Sequence, residues 1–188
     1  MSLSIIIPIY NEVKQLNYTI KKLQTLKKKI HDHELIFIDD LSNDGSYKKL
    51  ITLKKKFSKI KVYKNIKKGL GSAIKISKEK SKKKYVCIFM CDLSDDVNDI
   101  LKYYKTMKKN QYLDAVFGTR FAKNSKVKNY PYFKLTLNRV ANNMIRLLFL
   151  SNYNDFTNAF KIYKKSIFLK LFPIVSENFN VFLELPLK

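Results

Sequence analysis

Five short runs constrain this chain more than anything else in it: SIIIPI (4–9), ELIFI (34–38), IKVY (60–63), YVCIFM (85–90) and DAVFG (114–118). Each is rich in β-branched or aromatic residues and apolar toward both faces, so neither face can be left to water. A sheet covered on both sides by helices satisfies that demand. Helical patterns fill the intervals. Val13, Leu16, Ile20, Leu23, Leu26 and Ile30 recur at a three-to-four spacing after Asn11, a candidate N-cap. Ala73, Ile74 and Ser77, then Ile100, Leu101, Tyr104 and Met107, repeat the pattern more weakly. Strand–helix alternation every roughly 25–30 residues predicts an α/β fold with a mostly parallel central sheet and right-handed crossovers.

The alternation stops after residue 120. YPYFKLTLNRVANNMIRLLFL (130–150) reads as an extended entry followed by an amphipathic helix from about Leu135. DFTNAFKIY (155–163) alternates like a strand, 164–172 reads as a short helix, and ENFNVFLELPLK shows no terminating element. A single domain over 1–188 whose natural C-terminal end lies further on is the expectation. The start lacks the charged region and cleavage site of a secretory signal, and no apolar run approaches a membrane span. Cys87 and Cys91 lie four apart on one predicted strand, out of disulfide reach of each other. These features predict a cytoplasmic address, with the cytoplasmic face of a membrane as a resting place.

In such sheets ligands bind outside the carboxyl ends of the strands, so the residues just past each run carry the chemical information. They are Tyr10-Asn11-Glu12, Asp39-Asp40 with LSNDGS behind them, Asp92 with Ser94, Asp95 and Asp96, and Thr119-Arg120. Helix capping explains any one of these alone, and Asp96 fits a cap for a helix from 97. The chain has only 4 glycines, and each falls at such an edge or turn: Gly45, Gly69, Gly71 and Gly118. Positive φ or close backbone approach is expected there, and GLGSA could bring amide N–H groups to an anion. Net charge is +23, which attracts nucleic acid, anionic lipid or phosphorylated ligands, although solvated lysine faces account for much of it. His31 and His33, in IHDHE, read as a surface turn.

SIIIPIYNE, IFIDDLSNDGS, KKGLGSA, MCDLSDD, FGTRF and NDFTNAFKIYKKSI resemble, in order and spacing, the motifs of family 2 glycosyltransferases. The branch they are most similar to is that of the dolichyl- and polyprenyl-phosphate sugar synthases. The resemblance implies the GT-A nucleotide-diphosphosugar transferase fold. It implies that Pro8, Tyr10, Glu12, Ile38 and Asp40 bind the nucleoside of a GDP- or UDP-sugar. It implies that Met90, Cys91 and Asp92 stand at the Asp-x-Asp motif, which holds Mg²⁺ or Mn²⁺ against the diphosphate. Arg120 matches an arginine of the phosphate site, and Lys134, Asn138 and Arg139 fall where the acceptor's phosphate is contacted. Met90 departs from the pattern and leaves Asp92 as the only carboxylate of that pair, with Asp95 as a possible helper.

The implied reaction transfers a sugar, with inversion, to a polyprenyl phosphate. A hydroxyl acceptor of a cell-surface glycan would instead need a base, for which Asp95 and Glu184 are the candidates. Two other classes stand beside the enzyme. One is an inactive nucleotide-sugar-binding domain, favoured by Met90. The other is a basic nucleic-acid-binding module, which leaves the acidic strand ends unexplained. A nucleotidyltransferase would be expected to carry a glycine-rich loop after its first strand, where this chain has IYNEV.

Overall fold

The computed structural model describes residues 2–122 and 131–188. Its elements run β1 (Leu3–Ile9), α1 (Leu16–Gln24), β2 (His33–Asp39), α2 (Ser46–Lys56), β3 (Ile60–Lys64), α3 (Leu70–Lys80), β4 (Tyr85–Ile88), α4 (Val97–Lys109) and β5 (Ala115–Phe117). Then come α5 (Tyr132–Leu148), β6 (Lys161–Lys164), α6 (Lys165–Lys170) and α7 (Val181–Leu187). The strands form one sheet in the order β3-β2-β1-β4-β6-β5. β1 to β4 are parallel, and only β6 runs against its neighbours β4 and β5. The predicted α/β architecture is the one observed.

Why both faces of the strands had to be apolar is now visible. Along β1 and β2, Leu3, Ile5, Ile7, Ile9, Leu35 and Phe37 point to one layer, with Leu16, Ile20, Ile100 and Met107 of the covering helices. Ile6, Ile36 and Ile38 point to the other, with Ile74 of α3, Phe168 of α6 and Phe182 of α7. Burying one such side chain contributes ~1.5–3 kcal/mol, so a one-residue slip in register would exchange the two layers wholesale.

Several expectations need correction. Asn11 does not cap α1: it sits at φ +57°, and the helix starts at Leu16. Its carboxamide instead accepts from the amide of Asn43, tying two loops together. His33 is a buried residue of β2, its Nδ1 bonded to the Ile30 carbonyl; burial pushes its pKa down. The strand predicted over 155–163 starts only at Lys161, because Asp155 and Asn158 turn the preceding segment. The final segment folds as α7 and buries Val181, Phe182 and Leu185. Tyr130 of the predicted extended entry lies outside the described residues. Both cysteines are free and buried, and no described helix is long and apolar enough to cross a membrane.

Helix α5 is the exception to the packing rule. Leu137, Val140, Met144, Leu147 and Leu148 are all more than half exposed, and Asn142 is its one buried residue.

Candidate active site

From β1 the chain winds outward through β2 to β3 and then returns to β4 on the other side of β1. The carboxyl ends of β1 and β4 therefore flank the point where the winding reverses, and the loops there part to leave a crevice. A depression of about 540 Å³ opens at that place, lined by Asn11, Glu12, Val13, Lys14, Gln15, Asp44 and Asp92. Its walls are stitched by polar bonds. The amides of Asn11 and Glu12 donate to the hydroxyls of Ser42 and Ser46, and that of Val13 donates to Asp44. Asp44 in turn accepts from the amide and hydroxyl of Ser46. LSNDGS thus holds the loop after β1 in place. Asn11, Leu41 and Leu93 all sit at positive φ (57°, 58° and 54°), where a leucine is strained. All three follow strands at this one edge, and such strain gathers where a loop must be aimed.

The crevice is acidic in a chain that is otherwise strongly basic. Burial, then the charges of Asp92 and Asp44, push Glu12 above the usual carboxylate range. Burial, then Asp92, push Asp95 up to about 6, against the pull of Arg120. Asp92 itself is exposed and accepts from the amide of Ser94. A cation beside Asp92 would relieve the repulsion that this carboxylate exerts on Glu12 and Asp95. No cluster of three or more His, Cys, Asp or Glu side chains that could hold a metal ion occurs among the described residues. Met90 packs against the second apolar layer. Cys91 is buried, its thiol pushed up to about 12 by that burial, while Thr19 donates to its carbonyl. Only the third residue of Met-Cys-Asp therefore faces the crevice. Asp96 caps α4 by accepting from the amide of Asn98.

On the other flank, Tyr10 is 43% exposed, with the Lys68 ammonium over its ring at 4.4 Å and donating to its hydroxyl at 2.7 Å. Asp40 is nearly buried. One oxygen accepts from the amide of Gly69 and the carboxamide of Asn65, both at 2.7 Å, and no bond to its other oxygen is seen among the described residues. Pro8 and Ile38 are register partners and buried, so they form the floor and offer no side-chain surface. In the glycine loop the Gly69 amide donates to Asp40 and the Gly71 amide to the Glu177 carbonyl, and a Cβ at Gly71 would lie 2.0 Å from the carbonyl oxygen of Ser176. Glu184 is no base: its carboxylate takes the amides of Val175 and Ser176 and pairs with Lys188. Against the opposing effect of burial, those partners hold its pKa down to about 2.

Arg120 is held by Asp155. The fully buried carboxylate receives the arginine's backbone N (2.7 Å), Nε (3.0 Å) and Nη2 (2.6 Å). Nη2 also donates to Thr157, and Asn142 donates to Thr157 and Asn138. This network fastens α5 to the domain. Beside it the ammonium of Lys161, fully buried, donates to the carbonyls of Phe156 and Asn158. Burial lowers its pKa to about 7. Asn138 thus turns inward, Lys134 is exposed on the first turn of α5, and Arg139 lies with Phe121 in a separate depression. Sequence reasoning missed Asn65, Lys68, Asp155, Asn142 and Lys161. NDFTNAFKIY contains two of these, and only the contacts reveal what they do.

The mixed sheet places an acidic depression at its winding reversal, the switch point at which open α/β sheets bind their ligands. The profile of glycosyl transferase family 2 matches residues 4–172, and the chain belongs to that family. It is 31% identical over 143 residues to dolichol-phosphate mannosyltransferase of Pyrococcus furiosus, covering 75% of this chain and 39% of the relative. The glucosyl-3-phosphoglycerate synthase of Mycobacterium tuberculosis, solved with Mn²⁺, uridine diphosphate and glucosyl-3-phosphoglycerate, superposes with a TM-score of 0.76 at 16% identity. That match covers 98% of this chain and 63% of the synthase. A mannosyltransferase from Pyrobaculum calidifontis, in complex with GDP-mannose and Mn²⁺, matches at 0.64 and 13% identity over 95% of this chain and 50% of its own. The fold is GT-A. The chain spans well under half the length of the curated relative.

Proposed function

We propose that this domain binds a nucleoside diphosphosugar at the winding-reversal crevice and transfers its sugar, with inversion, to the phosphate of a polyprenyl phosphate. The observation that carries the reading is the acidic lining of the crevice, Glu12, Asp44 and Asp92, with Tyr10, whose hydroxyl accepts from Lys68, and Asp40 at the adjoining strand ends. Asp92 would hold Mg²⁺ or Mn²⁺, and the ion, when bound, neutralises charge on the leaving diphosphate. Tyr10 offers a face to a base, and the second oxygen of Asp40 can accept from a base N–H or a ribose hydroxyl. Arg120, oriented by Asp155, adds positive potential beside the diphosphate.

An acceptor phosphate oxygen attacks the anomeric carbon as the bond to the diphosphate oxygen breaks, and the nucleoside diphosphate departs with the electron pair. A phosphate monoester is largely ionised at neutral pH, its second pKa being ~6, so no base is required. A lipid-borne acceptor is supported by the 31%-identical relative and by the apolar stripe of α5, which is free to lie on a bilayer at its cytoplasmic face. A second reading, a hydroxyl acceptor, is favoured by Asp95: a carboxylate near 6 is ionised at neutral pH and basic enough to take a proton.

Incubation with labelled GDP-mannose or UDP-glucose, Mn²⁺ and phytanyl phosphate tests the proposal. Label moving into the organic phase supports it. Label moving only to glycans or water overturns the phosphate-acceptor reading.

A further inference from the structure

Helices α1, α2 and α4 share one layer, and each runs from the carboxyl edge of the sheet toward its amino edge. Lysine runs at 54–56 and 108–109 end α2 and α4, and further runs at 27–29 and 82–84 lie past the ends of α1 and α3. Contacts gather all four runs at one pole. Lys59 donates to the His31 carbonyl, Lys83 pairs with Asp32, and the Tyr85 hydroxyl donates to the Met107 carbonyl at the end of α4. Every lysine of these runs except Lys83 is exposed. The carboxylates of this edge are already engaged: Asp32 with Lys83, Glu34 with Lys61 and Asp114 with Lys164. A cation in the last turn complements a helix dipole, an effect that fades within that turn and so leaves the runs past α1 and α3 unexplained. In the turn between α4 and β5, three positions after Lys109, Tyr112 is 79% exposed. No other large apolar side chain of these segments is exposed, so the pole has no apolar strip to enter a bilayer.

We propose that this lysine pole is a binding surface for single-stranded nucleic acid. The ammonium groups would follow the phosphodiester backbone as point charges, and Tyr112 would offer its ring to an unpaired base. Lysine has no planar fork, and contacts to phosphate carry no sequence information, so binding would be independent of base order. The pole shares no residue with the crevice and does not depend on what the crevice binds. The Arg120 network fastens α5 at the opposite edge, past the carboxyl end of β5, so a chain resting on a bilayer through α5 turns the lysines to the solution.

Fluorescence anisotropy of a labelled oligoadenylate, about 20 nucleotides long, tests the proposal. Affinity of the parent should fall about 50-fold between about 50 and 200 mM salt, as expected when roughly four phosphates of a single strand are neutralised. Lys28→Gln/Lys55→Gln should weaken binding at least about tenfold at the lower salt. Lys48→Gln/Lys170→Gln, which takes the same charge from exposed positions in the first turn of α2 and at the end of α6, should weaken it little. Tyr112→Ala should cost about fivefold or more, the worth of one stacked base. Equal losses in the two lysine variants, or no binding by the parent at low salt, overturns the surface. Parent-like binding by Tyr112→Ala overturns the single-strand reading. If Lys28→Gln/Lys55→Gln loses anionic vesicles yet keeps the oligoadenylate, the pole serves a membrane and the proposal fails. Excess UDP–Mn²⁺ should leave oligoadenylate binding unchanged, and displacement would place the strand in the crevice and overturn the pole.

Discussion

Replacing Asp155 with alanine removes a fully buried carboxylate that receives three hydrogen bonds from Arg120. Breaking a buried, bonded ion pair from one side typically costs ~3–5 kcal/mol, because the remaining charge is left without its partner. The Arg120 side chain is 24% exposed, so water can reach part of the orphaned guanidinium. That places the expected loss near the low end, ~3 kcal/mol, within a total stability of ~5–15 kcal/mol for a domain of this kind. Urea unfolding followed by far-UV circular dichroism measures it. Asp155→Ala combined with Arg120→Met should lose less than the sum of the single variants, because no charge is then stranded. The same network fastens α5, so amide exchange in α5 should quicken in Asp155→Ala while exchange in β1 and β2 follows the global change alone. A loss below ~1 kcal/mol with unchanged α5 exchange would refute the network as the anchor of the helix.

Burial lowers the Lys161 pKa to about 7 against an ordinary 10.5, so between those values the unfolded chain binds the extra proton and stability should rise with pH. Asp155, Arg120 and Asp95 also act on Lys161. The parent-minus-Lys161→Met difference in unfolding free energy isolates its contribution, and a flat difference from pH 7 to 10 would contradict the burial argument. Leu147→Ser with Leu148→Ser should change stability by no more than ~0.5 kcal/mol per site, both side chains being mostly exposed, while reducing sedimentation with anionic vesicles at low salt. Gly71→Ala should lower the urea midpoint more than Gly45→Ala. Its Cβ meets the Ser176 carbonyl at 2.0 Å, whereas Gly45 has open space and only its φ of +91° to strain.

The sheet was legible because its strands had to be apolar on both faces, and no other element shows that pattern at this spacing. The acidic edge was legible for the same reason: once the strands are placed, Glu12, Asp40 and Asp92 can only fall at their carboxyl ends. What escaped depends on partners distant in sequence. Asn11 resembles a cap in its local context, and only the Asn43 amide, across the sheet edge, shows its real role. His33 looked polar and loop-bound, yet strand pairing with Leu3 buries it. Asp155 and Lys161 belong to a motif whose order was recognised. Their roles follow from Arg120, 35 positions away, and from carbonyls that bend the chain before β6. The amphipathic pattern of α5 marks an apolar face without saying what covers it. The structure answers by burying Asn142 instead.

The central claim is that Asp92 makes this crevice a cation-dependent nucleotide site. Calorimetric titration of UDP and GDP, each with and without Mn²⁺, into parent and Asp92→Asn measures it directly. The account predicts that Mn²⁺ tightens binding of one nucleotide by the parent about tenfold or more, and that this gain vanishes in Asp92→Asn while metal-free affinity is unchanged. An equal Mn²⁺-dependent gain in both proteins would contradict it.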